Sequence, residues 1–161
     1  MTTKDDFAKS RREARTVARL GAVQALYQME HAGQGVDSVV REFLAHRLGG
    51  EIDGTAIRSA DDAFFTDLVK GVVDAQQPID RLVHRHLREG WSLKRIDATA
   101  RAILRCGAYE LIRRPDVPAK AVIDEYMDIA NDFFGKGEQE PKFINAVLEA
   151  CGRDARVDEF V

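Results

Sequence analysis

Residues 9–19 carry the side chains of this chain that are best suited to binding an anion: five are basic and one is acidic. On a helix, Arg11, Arg15 and Arg19 follow one another at steps of four residues, and Arg12 lies beside the start of this row. Four guanidinium groups on one face repel one another unless a polyanion neutralises them. A guanidinium donates two parallel hydrogen bonds to a phosphate and can stack on an exposed base. The row therefore predicts contact with a nucleic acid, and the alternative is a solvated helix face with an intrahelical partner such as Glu13.

A second basic stretch, residues 81–105, has seven basic residues against two acidic ones. We interpret it as a solubilising surface, although it could extend the anion-binding face. Aromatic side chains that could stack on unpaired bases are expected to lie mostly in the core. Phe143 is the best placed of them for a surface role, because it follows Lys142 and the glycine-containing residues 135–137. The other candidates are Tyr27, Trp91, Tyr109 and Tyr126.

Residue patterns typical of catalysis or metal binding do not occur in the sequence. Cys106 and Cys151 belong to no Cys/His ligand cluster, so we expect two buried, reduced thiols. His84 and His86 would point in different directions on a helix, which is poor geometry for a metal. Phosphate-binding glycine loops, nucleophile elbows and zinc-protease motifs are also missing. We therefore expect neither an enzyme nor a bound metal or cofactor.

Apolar residues that recur at steps of three and four predict seven helices, and no run shows the period-two alternation of a strand. The predicted fold class is therefore all-α. The first helix should begin at the S-x-x-E capping box of residues 10–13 and end at Gly33. The same periodicity places Leu44 and Val73 on inward faces. The other helices are expected at residues 38–47, from Ser59 or Asp61 to before Pro78, and at 79–88, 93–113, 118–134 and 142–150.

The length of 161 residues suits one domain with one core. We expect a disordered tail at residues 1–9, a single helical domain at 10–152 and a frayed tail at 153–161. The formal net charge of -3 argues against a protein that coats nucleic acid indiscriminately. No segment approaches the roughly 18 apolar residues of a membrane span, and the polar N-terminus does not look like a secretory signal. We therefore expect a cytoplasmic protein.

Four sequence motifs follow one another along the chain. They lie at 18–28 (ARLGAVQALYQ), at 65–72 (FTDLVKGV), at 101–111 (RAILRCGAYEL), and, as a pair, at 118–130 and 142–148 (KFINAVL). In this order they resemble the first-helix signature, the third-helix pattern, the central helix and the closing pair of the NusB family. The resemblance covers about residues 11–150, nearly the whole chain, and an ordered set of four is far more specific than any one motif.

This resemblance implies a compact bundle of about seven helices that binds the boxA sequence of ribosomal RNA leader transcripts. It also implies a heterodimer with NusE, a small-subunit ribosomal protein, inside a complex that helps RNA polymerase to pass terminators. Some members of the family form homodimers, so self-association is a further expectation to test. The positions that match the family's RNA-binding elements are Arg11, Arg12, Arg15, Arg19, Gln24, Tyr27, Lys142, Phe143 and Asn145.

The chain departs from the family pattern in three places. Ala146 stands where many members have glycine, and Asp124 precedes Glu125 where asparagine is common. Both changes should affect packing more than binding. Residues 138–141 are unlike the expected loop, which leaves the details of RNA contact near Phe143 open.

Two other functions stay open at this point. A helical scaffold that binds only protein would present its arginines to an acidic partner, and salt-dependent RNA binding would separate the two cases. The fold also occurs fused to RNA cytosine methyltransferases as an accessory domain, but no catalytic domain follows here, so we favour a free-standing factor. The acidic segment 51–80, with Asp61 and Asp62, is our hypothesis for the NusE contact.

Overall fold

The computed structural model describes residues 3–48, 51–52, 55–56 and 60–161. Seven α-helices occur within these residues, which confirms the predicted all-α class. A helix able to span a bilayer is absent from the same part of the chain. The helices are α1 (Lys4–Ala32), α2 (Val36–Glu42), α3 (Asp62–Asp74), α4 (Gln76–Arg85), α5 (Ala98–Arg113), α6 (Ala119–Phe134) and α7 (Gln139–Ala155).

The chain forms two compact units, Met1–Lys70 and Gly71–Val161, and the boundary between them falls inside α3. The first unit contains α1, α2 and the start of α3. The second contains the end of α3 and the four remaining helices. The expected division into two tails and one domain stays a prediction.

Helix α1 begins six residues earlier than the sequence predicts. Thr3 and Asp6 form the capping box: the Asp6 amide donates to Thr3 Oγ1 at 3.1 Å, and the Thr3 amide donates to Asp6 Oδ2 at 3.0 Å. The start predicted at Ser10 is therefore wrong, because the helix extends back to this earlier box, which satisfies free backbone amides at its N-terminus. Residues 4–9 consequently belong to α1, which ends before the left-handed Gly33 as expected.

The second helix of the first unit is shorter than predicted, because α2 passes into a π-helical turn at Phe43–Arg47. Phe43 is buried and stacks on Phe65 of α3 with ring centroids 5.7 Å apart. Gly21 of α1 lies beside this pair, and a Cβ there would lie 2.7 Å from a methyl carbon of Leu48, which would have to move. Leu44, predicted to face inward, is exposed because the wider π turn rotates it away from the core.

Two short strands occur where the sequence predicts only loop. Glu51–Ile52 pairs antiparallel with Thr55–Ala56, and runs of two residues are too short to show alternation. The cap of α3 is Asp61, whose Oδ1 accepts from the Phe64 amide at 2.9 Å. Ser59, the other predicted cap, lies outside the described residues.

In the second unit α5 is the central helix and packs against α4, α6 and α7. Its interior includes a buried carboxyl group, Glu110, whose Oε2 accepts from the Tyr126 hydroxyl of α6 at 2.6 Å. Gly107 allows α7 to approach closely, since a Cβ there would lie 2.8 Å from Leu148 Cδ2. Val73, predicted to face inward, is 38% exposed, because the inward face of α3 runs through Val69 and Val72, three residues apart.

Three helices of the second unit start at other residues than predicted, and α4 also ends three residues earlier, at Arg85. The helix expected from Leu93 is a short 3-10 turn, and α5 begins only after Asp97, whose Oδ1 accepts from the amides of Thr99 and Ala100. Helices α4 and α7 both start three residues earlier than predicted, because Pro78 and Pro141 lie in first turns, where proline is tolerated.

The C-terminal end of α7 also differs, since the helix continues past Gly152 to Ala155. Arg156 then donates hydrogen bonds to the carbonyls of Glu110, Leu111 and Arg114 at the end of α5 and to that of Val117. A 3-10 turn, Val157–Phe160, closes the chain. The carbonyls of Glu110 and Arg114 also accept from the amides of Arg114 and Val117, so the guanidinium adds donors to the C-terminal end of α5 and to the turn that follows it.

Candidate nucleic-acid interface

The arginine face, which we define as Arg11, Arg12, Arg15 and Arg19 of α1, divides into an exposed half and an engaged half. Arg11 and Arg12 are exposed, and within the described residues no carboxylate pairs with either guanidinium. Two neighbouring cations without a paired carboxylate leave a local positive potential that attracts an anion. This is the half of the arginine face that is open to a phosphate.

Arg15 and Arg19 are held by the start of α3. The Arg15 guanidinium lies 4.5 Å from the centroid of the Phe64 ring, and its Nε is 3.7 Å from Asp61 Oδ2. Arg19 lies over the same ring at 4.9 Å and is only 4% exposed. The Asp61 amide also donates to the Ala14 carbonyl at 3.0 Å, which fixes α3 against α1. Arg15 stays partly accessible, whereas Arg19 is part of the interior.

The remaining α1 positions that the family resemblance implied, Gln24 and Tyr27, are both exposed. Tyr27 is 42% exposed, and its ring centroid lies 4.1 Å from that of His31 in a tilted arrangement. Its ring is therefore accessible for contact with a base or with a protein partner.

Lys142, Phe143 and Asn145 lie in the first two turns of α7, in the second unit. Lys142 and Asn145 are exposed, whereas Phe143 is half-buried and lines a cavity of about 560 Å³. We call this cavity the Trp91 groove. Its wall also includes His86, Arg88, Trp91, Arg95 and Glu140.

Apart from Phe143, the residues that line this groove lie outside the set that the family resemblance implies, and Trp91 and Arg95 are the pair among them best suited to a nucleic acid. Trp91 is 46% exposed, and the Arg95 guanidinium lies over its ring at 5.6 Å from the centroid. Trp91 is one of the aromatic residues that the sequence offers for base stacking, but helical periodicity does not separate it from core aromatics. The signal that points to a surface position is its place directly after Gly90 in a basic stretch.

The two thiols do not take part in these surfaces. Cys106 and Cys151 are free and buried, which confirms the prediction. Burial raises the pKa of the Cys151 thiol to about 12, and burial also raises the pKa of the Cys106 thiol. Among the described residues, no group of three or more His, Cys, Asp and Glu side chains is placed to hold a metal ion.

Comparison with known proteins agrees with this fold. The NusB family model matches residues 16–153. The transcription antitermination protein NusB of Caulobacter vibrioides is 53% identical over 147 residues, which cover 91% of this chain and 97% of the relative. The solved structure of T. maritima NusB has a TM-score of 0.70 and 26% identity, and the match covers 99% of both chains. A crystal structure of antitermination factors NusB and NusE in complex with dsRNA has a TM-score of 0.72 at 23% identity, over 88% of this chain and 98% of that one.

These likenesses extend over nearly the whole chain, through both of its units. The all-α fold of this chain is the one that these solved NusB structures share. The chain belongs to the NusB family, which confirms the resemblance found in the sequence.

Proposed function

We propose that this protein acts in transcription antitermination by binding boxA-type single-stranded RNA in rRNA leader transcripts together with NusE, so that RNA polymerase passes terminators. The observation that carries the RNA-binding part is the exposed pair Arg11 and Arg12, which has no carboxylate partner among the described residues. The solved NusB structure with NusE and dsRNA has the same fold, so a protein of this fold can bind NusE and an RNA, in that case a double-stranded one.

The proposed RNA contacts of α1 differ in how exposed their side chains are. Arg11 and Arg12 bind phosphates directly, and Arg15 does so from its place over Phe64, where the ring restricts its guanidinium. Arg19 is proposed to support this site by packing on the same ring rather than to touch RNA. Gln24 and Tyr27 add polar and aromatic contacts farther along α1.

The contacts of α7 come from Lys142, Phe143 and Asn145. Lys142 is an exposed cation suited to a phosphate, and the exposed amide of Asn145 can donate to and accept from a base edge. Phe143 offers part of its ring to a base from the wall of the Trp91 groove.

The hypothesis for the NusE contact needs one change. Asp61 is engaged twice, as the cap of α3 and as the partner of Arg15. Charge reversal at Asp61 would therefore disturb the arginine face as well as any partner surface. Asp62 is exposed, and we propose Asp62→Lys as the cleaner test of an acidic contact with NusE.

We propose further that the protein catalyses no reaction, needs no cofactor and acts in the cytoplasm. The support is the absence of catalytic and metal-ligand motifs from the sequence, together with the function for which the relatives are named.

The test is fluorescence anisotropy with a labelled boxA-type RNA and a scrambled RNA, with and without NusE, at two salt concentrations. Wild type should prefer the boxA-type RNA, and NusE should strengthen that preference. The double variant Arg11→Ala/Arg12→Ala should lose at least about tenfold in affinity, because hydrogen bonds to charged groups contribute about 1.5–3 kcal/mol each. Arg41→Ala removes an exposed arginine of α2 and serves as the matched control.

Two results would argue against the proposal. Equal, weak binding to both RNAs that NusE leaves unchanged would indicate a scaffold that binds only protein. Unchanged affinity of the double variant, with circular dichroism like that of wild type, would remove the arginine face from the RNA site.

A further inference from the structure

The segment between α4 and α5, residues 86–97, exposes the only tryptophan of the chain. Trp91 is 46% exposed. Tryptophan is highly buried on average, so a half-exposed indole on an ordered surface is an informative exception. Such a ring is a ready surface for another aromatic group.

Buried contacts hold this segment in place. Leu93 and Ile96, on either side of the 3-10 turn, are buried. The guanidinium of the buried Arg101 donates to the carbonyls of both residues, at 2.9 and 2.6 Å. Gly90 has a φ of 86°, a conformation that favours glycine, and reverses the chain just before Trp91. The indole is therefore presented by a fixed backbone.

A cation lies against the indole. The Arg95 guanidinium is 5.6 Å from the ring centroid and also donates to the Gly90 carbonyl at 3.3 Å. This second bond limits the positions that Arg95 can adopt. The pair offers an aromatic surface and a phosphate-binding fork within a few ångströms of each other.

The rest of the wall adds a second aromatic ring and further positive charge. Phe143 and Arg88 line the same cavity. His86 lines it too, and its Nε2 lies 2.8 Å from Asp154 Oδ2. Of the two carboxylates in the wall, Asp97 is engaged in capping α5, while Glu140 is exposed.

We propose that the Trp91 groove holds one unpaired nucleotide of the bound RNA, with its base stacked on the indole of Trp91 and its phosphate beside Arg88 and Arg95. The inference rests on the proposed RNA-binding function and adds a site to it. A volume of about 560 Å³ accommodates a small ligand. Two rings flanked by guanidinium groups match the flat base and the anionic phosphate of a nucleotide.

Because Trp91 is the only tryptophan, intrinsic fluorescence reports on this groove alone. A boxA-type single-stranded RNA should quench the emission of the wild-type protein, since a stacked base deactivates an excited indole. Trp91→Ala should weaken RNA binding by about 5- to 150-fold, as expected for the loss of one stacked base. Trp91→Phe keeps a ring and should recover most of the affinity.

Phe133→Ala is the matched control, because it removes another exposed aromatic residue of the second unit, on α6. Anisotropy measures the affinity of all variants for the same labelled RNA. Circular dichroism establishes that each variant is folded.

The outcomes separate this inference from the proposed function. RNA binding seen by anisotropy, with unchanged tryptophan emission and full affinity in Trp91→Ala, would overturn the groove site and leave the RNA-binding function standing. No RNA binding by wild type would overturn both. A change in Trp91 emission caused by NusE without RNA, together with weaker NusE binding by Trp91→Ala, would assign the groove to a protein contact instead.

Discussion

The arginine face and the Trp91 groove differ in how the fold prepares them for a ligand. Arg11 and Arg12 are long side chains on an exposed helix surface, and only the helix fixes their spacing. Trp91 is a rigid ring on a segment that Arg101 ties down at two carbonyls. Charge on a helix attracts any polyanion, whereas a fixed ring discriminates by shape and stacking. The first unit is therefore suited to affinity, and the second to preference among unpaired bases.

The largest effect, a loss of stability, is expected from Arg101→Met. This change keeps much of the side-chain volume and removes the groups that donate to the carbonyls of Leu93 and Ile96. The Ile96 carbonyl would lose the guanidinium donor and the Leu93 carbonyl would keep only the Ile96 amide, so the free energy of unfolding should fall by about 2–4 kcal/mol. Urea denaturation measures this loss, and the native tryptophan emission should shift as the segment loosens. Arg113→Met, at the exposed end of α5, is the control. Wild-type stability in Arg101→Met would show that the groove is not anchored in this way.

Salt dependence should separate the two regions next. In a plot of log affinity against log salt, Arg11→Ala/Arg12→Ala should reduce the slope by about 1.4, because each phosphate contact with a single strand contributes about 0.7. Trp91→Ala should shift the line without changing its slope. Anisotropy titrations at four or so salt concentrations give both slopes. Equal slope changes in the two variants would contradict the division into charge and stacking.

Within the arginine face, Arg19→Met should affect mainly the stability of the protein, and Arg12→Met mainly its affinity for RNA. Arg19→Met should lower the free energy of unfolding by about 1–2 kcal/mol, because a buried guanidinium loses its place over Phe64. Arg12→Met should leave stability nearly unchanged and weaken RNA binding more. Urea denaturation and anisotropy on both variants make the comparison. A larger RNA defect in Arg19→Met would show that Arg19 reaches the ligand after all.

The smallest effect concerns acid stability at the wall of the groove. Hydrogen bonds from His86 and Arg85 hold the pKa of Asp154 below its ordinary value of 3.8. A carboxylate with a lowered folded-state pKa stabilises the protein above its ordinary pKa, and this contribution is lost as the pH falls through the lowered value. The stability difference between wild type and Asp154→Asn should therefore be present near neutral pH and shrink below about pH 4. The pair is partly exposed, so the difference should be modest.

Urea denaturation across this pH range measures the difference, with Asp158→Asn as a control at an exposed carboxylate near the C-terminus. A difference that grows as the pH falls would show that the lowered pKa of Asp154 does not stabilise the fold.

Local patterns predicted most of the fold and part of the candidate site. Steps of three and four identified the helices, and the arginine row was visible from its spacing alone. Two of the errors lie where local signals competed: Thr3 and Asp6 cap α1 ahead of Ser10, and Asp97 begins a helix that the apolar pattern would start at Leu93. Each depends on which side chain reaches a free amide, a detail that periodicity does not contain.

The sequence by itself determined the helical class, the family and the presence of a cationic first helix, because these follow from residue spacing along one segment. The tertiary structure decided which arginines stay exposed and which aromatic rings line a cavity. Arg19 is buried because Phe64, 45 residues away in the sequence, supplies its ring. Trp91 and Phe143 line one groove because α7 packs on α4 and α5. Contacts between residues that are distant in sequence depend on how the helices pack, and the spacing of residues within one helix does not specify which helix packs against it.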